Sequence, residues 1–78
     1  MEEKIEEILR DMNPDILNYT GNNMYADGLL DSLDFVEVVE NLEESFGIEF
    51  EPEIILLENF GNKNDILSIV KKVLTSQL

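Results

Sequence analysis

From Ser32 to Phe46 the apolar residues Phe35, Val38, Val39, Leu42 and Phe46 recur at intervals of three and four, with Glu37, Glu40, Glu43 and Glu44 among them. That spacing gathers the apolar side chains on one stripe of an α-helix and sends the carboxylates to the other side. The segment is thus expected to be an amphipathic helix that must bury its stripe against other elements. Gly28 leads into it, and Asp31 and Ser32 are residue types that start helices. Ser32 is expected in or beside the first turn, with its hydroxyl facing water.

The rest of the chain supplies partners for that stripe. Ile5, Ile8, Leu9 and Met12 predict a helix over about Glu2 to Asp11, with Glu2 and Glu3 at its positive end. Asn13-Pro14 ends it, because the residue before a proline is disfavoured in helical conformation. From Asn13 to Asp31 no period persists, and Gly21, Asn22, Asn23 and Gly28 argue for turns. So long a loop needs anchors, for which Ile16, Leu17, Tyr19, Met24, Tyr25, Leu29 and Leu30 are the candidates. Leu29 and Leu30 would set the approach to Ser32.

Gly47 is expected to end the second helix in a left-handed cap. Ile48-Glu49-Phe50 reads as an extended connector without a strand to pair with. Pro52 to Glu58, carrying Ile54, Ile55, Leu56 and Leu57, is expected as a short third helix opened by proline. A last helix runs from Lys63 or Asn64 to Ser76 on the stripe Ile66, Leu67, Ile69, Val70, Val73 and Leu74. Asn62 and Asp65 suit its start, and Lys71 and Lys72 suit its negative end. The expected class is all-α: a four-helix bundle of three main helices and one short one, with a long first loop, in a single domain over residues 1–78.

Composition removes several kinds of chemistry. At 78 residues the chain buries only about 60% of its unfolded surface, enough for a core but not for a large enclosed active site. There is no Cys and no His, so thiol nucleophiles, disulfides and the commonest general base are missing. No catalytic residue and no resident metal are expected. No apolar run reaches membrane-spanning length and the amino terminus is acidic, unlike a secretory signal. A soluble, cytoplasmic, monomeric protein is the expectation. Against 5 basic residues stand 18 acidic ones, and no Lys or Arg occurs between Arg10 and Lys63. Such a surface repels nucleic acid and anionic lipid and steers toward partners with basic patches.

A serine at the amino end of a helix sits amid unpaired N–H groups and partial positive charge, where a phosphodiester is well tolerated. Capping alone would also explain it. The block Asp31-Ser32-Leu33-Asp34, followed by Val36-Glu37-Val38-Val39 and Leu42-Glu43-Glu44-Ser45-Phe46, resembles the most recognisable stretch of the acyl carrier protein family. Glu49 to Pro52 is similar to the family's lead-in to its third helix. The resemblance implies an acyl-carrier-like four-helix bundle that carries acyl or aminoacyl groups as thioesters on a 4′-phosphopantetheine arm. It implies that Ser32 receives the arm from coenzyme A through a separate phosphopantetheinyl transferase, with Asp31 helping to hold the magnesium used in that transfer. Leu33, Asp34, Val36, Glu37, Glu40 and Glu44 then match the partner-facing side of the family's second helix, turned to the transferase and to loading and consuming enzymes. Fatty-acid members usually place Gly closer to the Asp-Ser pair. Asp27-Gly28-Leu29-Leu30-Asp31-Ser32 looks more like D-alanyl and peptidyl-type carriers, although Leu33 stands where D-alanyl carriers often have Phe or Met. An acyl cargo is expected first, and a D-alanyl or aminoacyl cargo second.

Two readings from other classes use the same residues. A calcium loop starting at Asn23 would place Asp27, Gly28 and Asp34 at fitting offsets, but puts Tyr25 at a ligand position and Asp where a closing Glu is wanted. An unmodified acidic helical adaptor explains the charge and the helices but leaves Asp31-Ser32-Leu33 accidental.

Overall fold

The computed structural model describes residues 1–76 and consists of three α-helices: α1 (Glu2–Met12), α2 (Ser32–Phe46) and α3 (Lys63–Ser76). No strand occurs among the described residues. Each helix buries the stripe its spacing predicts: Ile5, Ile8 and Leu9 from α1, Val38, Val39 and Leu42 from α2, and Ile66, Ile69, Val70 and Val73 from α3. Segments between helices complete the core with Ile16, Met24, Leu30, Ile48, Phe50 and Phe60. The expected all-α bundle is what forms.

The long connection between α1 and α2 is pinned at several places. Asn13 serves both sides of the break after α1. Its Oδ1 accepts the Asp15 N–H (3.0 Å) to open a 3-10 helix over Pro14–Asn18, and its Nδ2 donates to Leu29 O (3.0 Å). Met24 is fully buried, donates its N–H to Gly61 O (2.9 Å), and accepts from both Leu29 N (2.9 Å) and Leu30 N (3.4 Å). Asn62 Nδ2 donates to Gly21 O (3.1 Å). The Tyr19 hydroxyl donates to Asp27 and accepts the Asn23 N–H. The loop is therefore stitched to the residues that lead into α3, with several of its backbone groups paired outside any α-helix. At Gly61 the two segments touch so closely that a Cβ would lie 2.1 Å from Asn22 O.

Gly47 ends α2 at φ 63°, the left-handed conformation expected of it. The short third helix takes a different form. Ile54 N and Ile55 N bond back three residues, to Glu51 O (2.9 Å) and Pro52 O (3.2 Å). Leu56 then turns extended (φ −124°, ψ 141°) before a second 3-10 turn over Leu57–Asn59. A run of four apolar residues has no helical stripe to bury, and neighbouring β-branched isoleucines disfavour an α-helix. The Asn59 side chain donates instead to Ile54 O (2.8 Å), closing the segment.

α3 starts as expected, with Asn62 Oδ1 accepting the Asp65 N–H (2.8 Å). Its last turn holds no basic residue. Lys71 and Lys72 stand just before it, and their carbonyls accept the Thr75 and Ser76 hydroxyls (2.9 and 3.0 Å). Lys63 Nζ reaches Glu6 (3.2 Å) and Glu2 (3.8 Å), joining α3 to α1.

Gly61→Ala tests the stitching. Its methyl must displace backbone rather than a flexible side chain, so urea unfolding should show a loss of about 2 kcal/mol. An unchanged unfolding midpoint would mean that this approach carries no stability.

Candidate functional site

The amino end of α2 is capped by Asp31, not by Ser32. Asp31 Oδ1 accepts the Asp34 N–H (2.8 Å), and Asp34 Oδ2 accepts the Asp31 N–H (3.0 Å). This reciprocal capping box satisfies two backbone donors at once. Ser32 is the first residue inside the helix and is exposed. Since the cap oxygen comes from its neighbour, the Ser32 hydroxyl has no capping duty and points its chemistry at solvent. Capping therefore does not account for Ser32. The box was legible in the Asp31-x-x-Asp34 spacing, with Asp in the place usually taken by Glu or Gln.

The approach to Ser32 is held by backbone hydrogen bonds. Gly28 turns the chain at φ 85°, after which the Leu29 and Leu30 N–H groups both lock onto Met24 O. Leu30 is buried and Leu29 half-buried. Phe35 continues the anchoring from the other side, donating its N–H to Asp31 O (3.0 Å). Its ring meets Tyr25 edge to face at 5.4 Å and Phe60 at 5.6 Å, and Phe60 meets Phe50 at 5.3 Å. A row of four aromatic rings thus passes through Phe35 in the first turn of α2, each neighbouring pair in a favourable edge contact.

Around Ser32 the expected partner-facing residues divide in three. Leu33 is 77% exposed and Val36 50% exposed, two large apolar side chains left in water beside the serine. Glu37 and Glu44 line one groove of about 420 Å³ between α2 and α1, with Glu7, Asp11 and Lys4 on the facing helix. Glu40 is exposed outside that groove, while half-buried Asp34 is committed to the capping box. Glu43 departs from expectation. It is half-buried and its Oε2 accepts the Phe50 N–H (2.9 Å), so it tethers the chain after α2 instead of joining a solvated face. At 100° per residue Glu43 lies only about 40° round the helix from buried Val39.

The oxygens that a calcium loop would need are engaged in local structure. Asn23 Oδ1 accepts from Tyr25 N (3.1 Å) and Ala26 N (3.0 Å), Asp27 accepts from Tyr19, and Asp34 caps α2.

Two tyrosines carry raised pKa values. For Tyr25 the cause is chiefly burial, then the Asp34 carboxylate; for Tyr19 it is chiefly the hydrogen bond to Asp27. The Tyr25 hydroxyl oxygen is buried and has no hydrogen-bond partner, a feature no sequence pattern announces, since the residue reads as an apolar anchor.

Two outcomes follow from this geometry. Asp31→Ala should cost about 1 kcal/mol of stability, and Asp31→Ser should restore most of it, as read by thermal unfolding. Because the folded protein holds these phenols protonated above their ordinary 10.0, the tyrosine contribution to stability is whole below that pH. It declines as pH rises above it. Denaturant midpoints across this range should fall, and fall less steeply in Tyr25→Phe.

The family described as "Phosphopantetheine attachment site" matches residues 3–66, a span that contains both the aromatic row and the capped start of α2. The D-alanyl carrier protein of Abiotrophia defectiva is 32% identical over 74 residues, covering 92% of this chain and 94% of that protein. No solved structure matches significantly. An all-helical bundle and these two matches agree: the chain belongs to the phosphopantetheine-attachment family of carrier proteins, whose prosthetic group is a covalently attached 4′-phosphopantetheine.

Proposed function

We propose that Ser32 is the residue that receives the arm, and that the cargo is a small aminoacyl group of the D-alanyl type. The observation that carries the first part is the division of labour at the start of α2: Asp31 caps, and exposed Ser32 is left free. The residues present fit the group. An exposed hydroxyl on the first helical residue offers the oxygen, and the N-terminal dipole favours the phosphodiester that results. In the transfer, the Ser32 oxygen forms a bond to the coenzyme A phosphorus proximal to the pantetheine. The bond from that phosphorus to the bridging oxygen breaks, and adenosine 3′,5′-bisphosphate leaves. The chain has no His or Cys, and no Lys lies near Ser32 in sequence, so the transferase must accept the serine proton. Asp31 Oδ1 is engaged in the cap, and its other carboxylate oxygen would help hold the magnesium used in the transfer. Once attached, the arm supplies the thiol on which cargo is carried as a thioester. This chain's residues act by presenting, orienting and steering.

Support for an aminoacyl cargo comes from the D-alanyl carrier relative and from Asp27-Gly28-Leu29-Leu30-Asp31-Ser32. It also draws on the packing of Phe35 against Phe60 and of Phe60 against Phe50, which fills core space that a long chain would need. A longer acyl cargo is the second reading, favoured by exposed Leu56 and Leu57 and half-buried Ile54 and Ile55 as apolar ground for a chain. Leu33 and Val36 offer apolar contact to partners, while Asp34, Glu37, Glu40 and Glu44 offer charge to basic patches on transferase and loading enzymes. We place this work in the cytoplasm, where coenzyme A is at hand.

The test is intact mass after incubation with coenzyme A, magnesium and a broad-specificity transferase, with fragmentation to locate the adduct. Wild type should gain one arm at Ser32, and Ser32→Ala should stay folded and gain none. An unmodified wild-type chain overturns the reading. Offering the arm-bearing protein D-alanine or fatty acids with the matching ligases then separates the two cargoes. Glu37→Lys should slow modification more at low salt than at high salt, because charge steering is screened. Equal slowing at both would remove steering from the account.

A further inference from the structure

The Tyr25 hydroxyl is a buried polar group that neither the packing of the fold nor the transfer chemistry employs. Its hydroxyl oxygen is buried without a hydrogen-bond partner, a state that costs a folded protein stability. Phenylalanine would make the same edge contact with Phe35 at no such cost. The place of the hydroxyl gives it a use. Phe35 follows Ser32 by three residues and points about 60° round the helix from it, so the Tyr25 ring lies under the turn that bears Ser32.

We infer that the Tyr25 hydroxyl is a positioning group that donates a hydrogen bond to an amide carbonyl of the arm, docking the arm against the base of α2. This rests on the carrier reading above. The main chain of Tyr25 is fixed, its N–H donating to Asn23 Oδ1 (3.1 Å) and its C=O accepting from Gly28 N (3.3 Å). The side chain as a whole is only half-buried, and docking requires its hydroxyl to turn toward the arm while the main chain stays fixed. The chemistry of the ligand follows from the surroundings. Burial, and after it the Asp34 carboxylate, holds the phenol protonated, a donor, and the same carboxylate repels an anionic ligand. A neutral acceptor is what suits that donor, and the pantetheine arm carries amide carbonyls. Tethering at Ser32 raises the local concentration of those carbonyls enough for a single hydrogen bond to matter.

The experiment compares four proteins: wild type and Tyr25→Phe, each without and with the arm, the arm's presence at Ser32 being verified first by mass. Without the arm, Tyr25→Phe should melt about 4 °C higher than wild type, because an unpaired hydroxyl is removed. Attaching the arm should raise the melting temperature of wild type and leave Tyr25→Phe unmoved. The ring proton signals of Tyr25 should also shift in wild type when the arm is attached. A merely structural tyrosine would show the same change on attachment in both proteins, and that equality overturns the inference. So does a Tyr25→Phe protein less stable than wild type before attachment, since the hydroxyl would then already have its partner. A chain that never takes the arm refutes the carrier reading and this inference together, whereas a modified chain with equal shifts refutes Tyr25 alone.

Discussion

The site depends on the backbone of one buried residue. Met24 gives its N–H to Gly61 and takes the N–H groups of both Leu29 and Leu30 on its carbonyl. The first bond ties the long loop to the start of α3; the other two set the last two residues before Asp31. Water is excluded from Met24, so these groups would be expensive to leave unpaired. The direction in which α2 begins, and hence where Ser32 faces, follows from that arrangement. Asn13 adds a second hold on the same stretch by reaching from the end of α1 to Leu29.

Onto this frame the acidic surface adds a different constraint. Within the formal charge of −13, α1 and α2 each carry an excess of carboxylates and repel one another at long range. α3 instead holds Lys63, Lys71 and Lys72 against Asp65 alone, and its Lys63 reaches Glu2 and Glu6 of α1. A half-exposed pair of this kind is worth little by itself. Burial of the three apolar stripes therefore holds the bundle against its own charge. In exchange the face around Ser32 carries carboxylates without a basic residue near them in sequence, the field that the proposed steering of basic partners relies on. Leu33 and Val36 are large apolar side chains exposed within that field.

The aromatic row unites the two halves of the molecule. Tyr25 in the loop, Phe35 on α2, Phe60 before α3 and Phe50 after α2 meet in sequence by their edges. The row includes Phe35 of the first turn of α2, and at its far end Glu43 fixes the Phe50 amide. One polar atom in that row, the Tyr25 hydroxyl, lacks a partner, while the adjoining apolar surfaces are matched. Where packing is otherwise complete, an unpaired polar group marks either stored cost or an absent ligand.

How much of this was legible in the residues depends on the reach of the interactions. The three long helices, the left-handed cap at Gly47, the Asn62 start of α3 and the exposed place of Ser32 all follow from patterns within one or two turns, which local order displays directly. The charge asymmetry was equally visible, and the resemblance of the Asp31-Ser32-Leu33 block led to the family. Other features lay beyond local pattern. Asn13 meets Leu29 at a separation of 16 residues and Asn62 meets Gly21 at 41, so the path of the loop and the close approach at Gly61 arise only when distant segments meet. The breaking of Ile54 to Leu57 into 3-10 turns, the inward turn of Glu43 and the unpaired Tyr25 hydroxyl were likewise settled by what packed against them. Periodicity determined which faces these helices bury. Tertiary packing decided which polar atoms on the remaining faces found partners, because a hydrogen bond is made by atoms that meet in space, however far apart they stand in the chain.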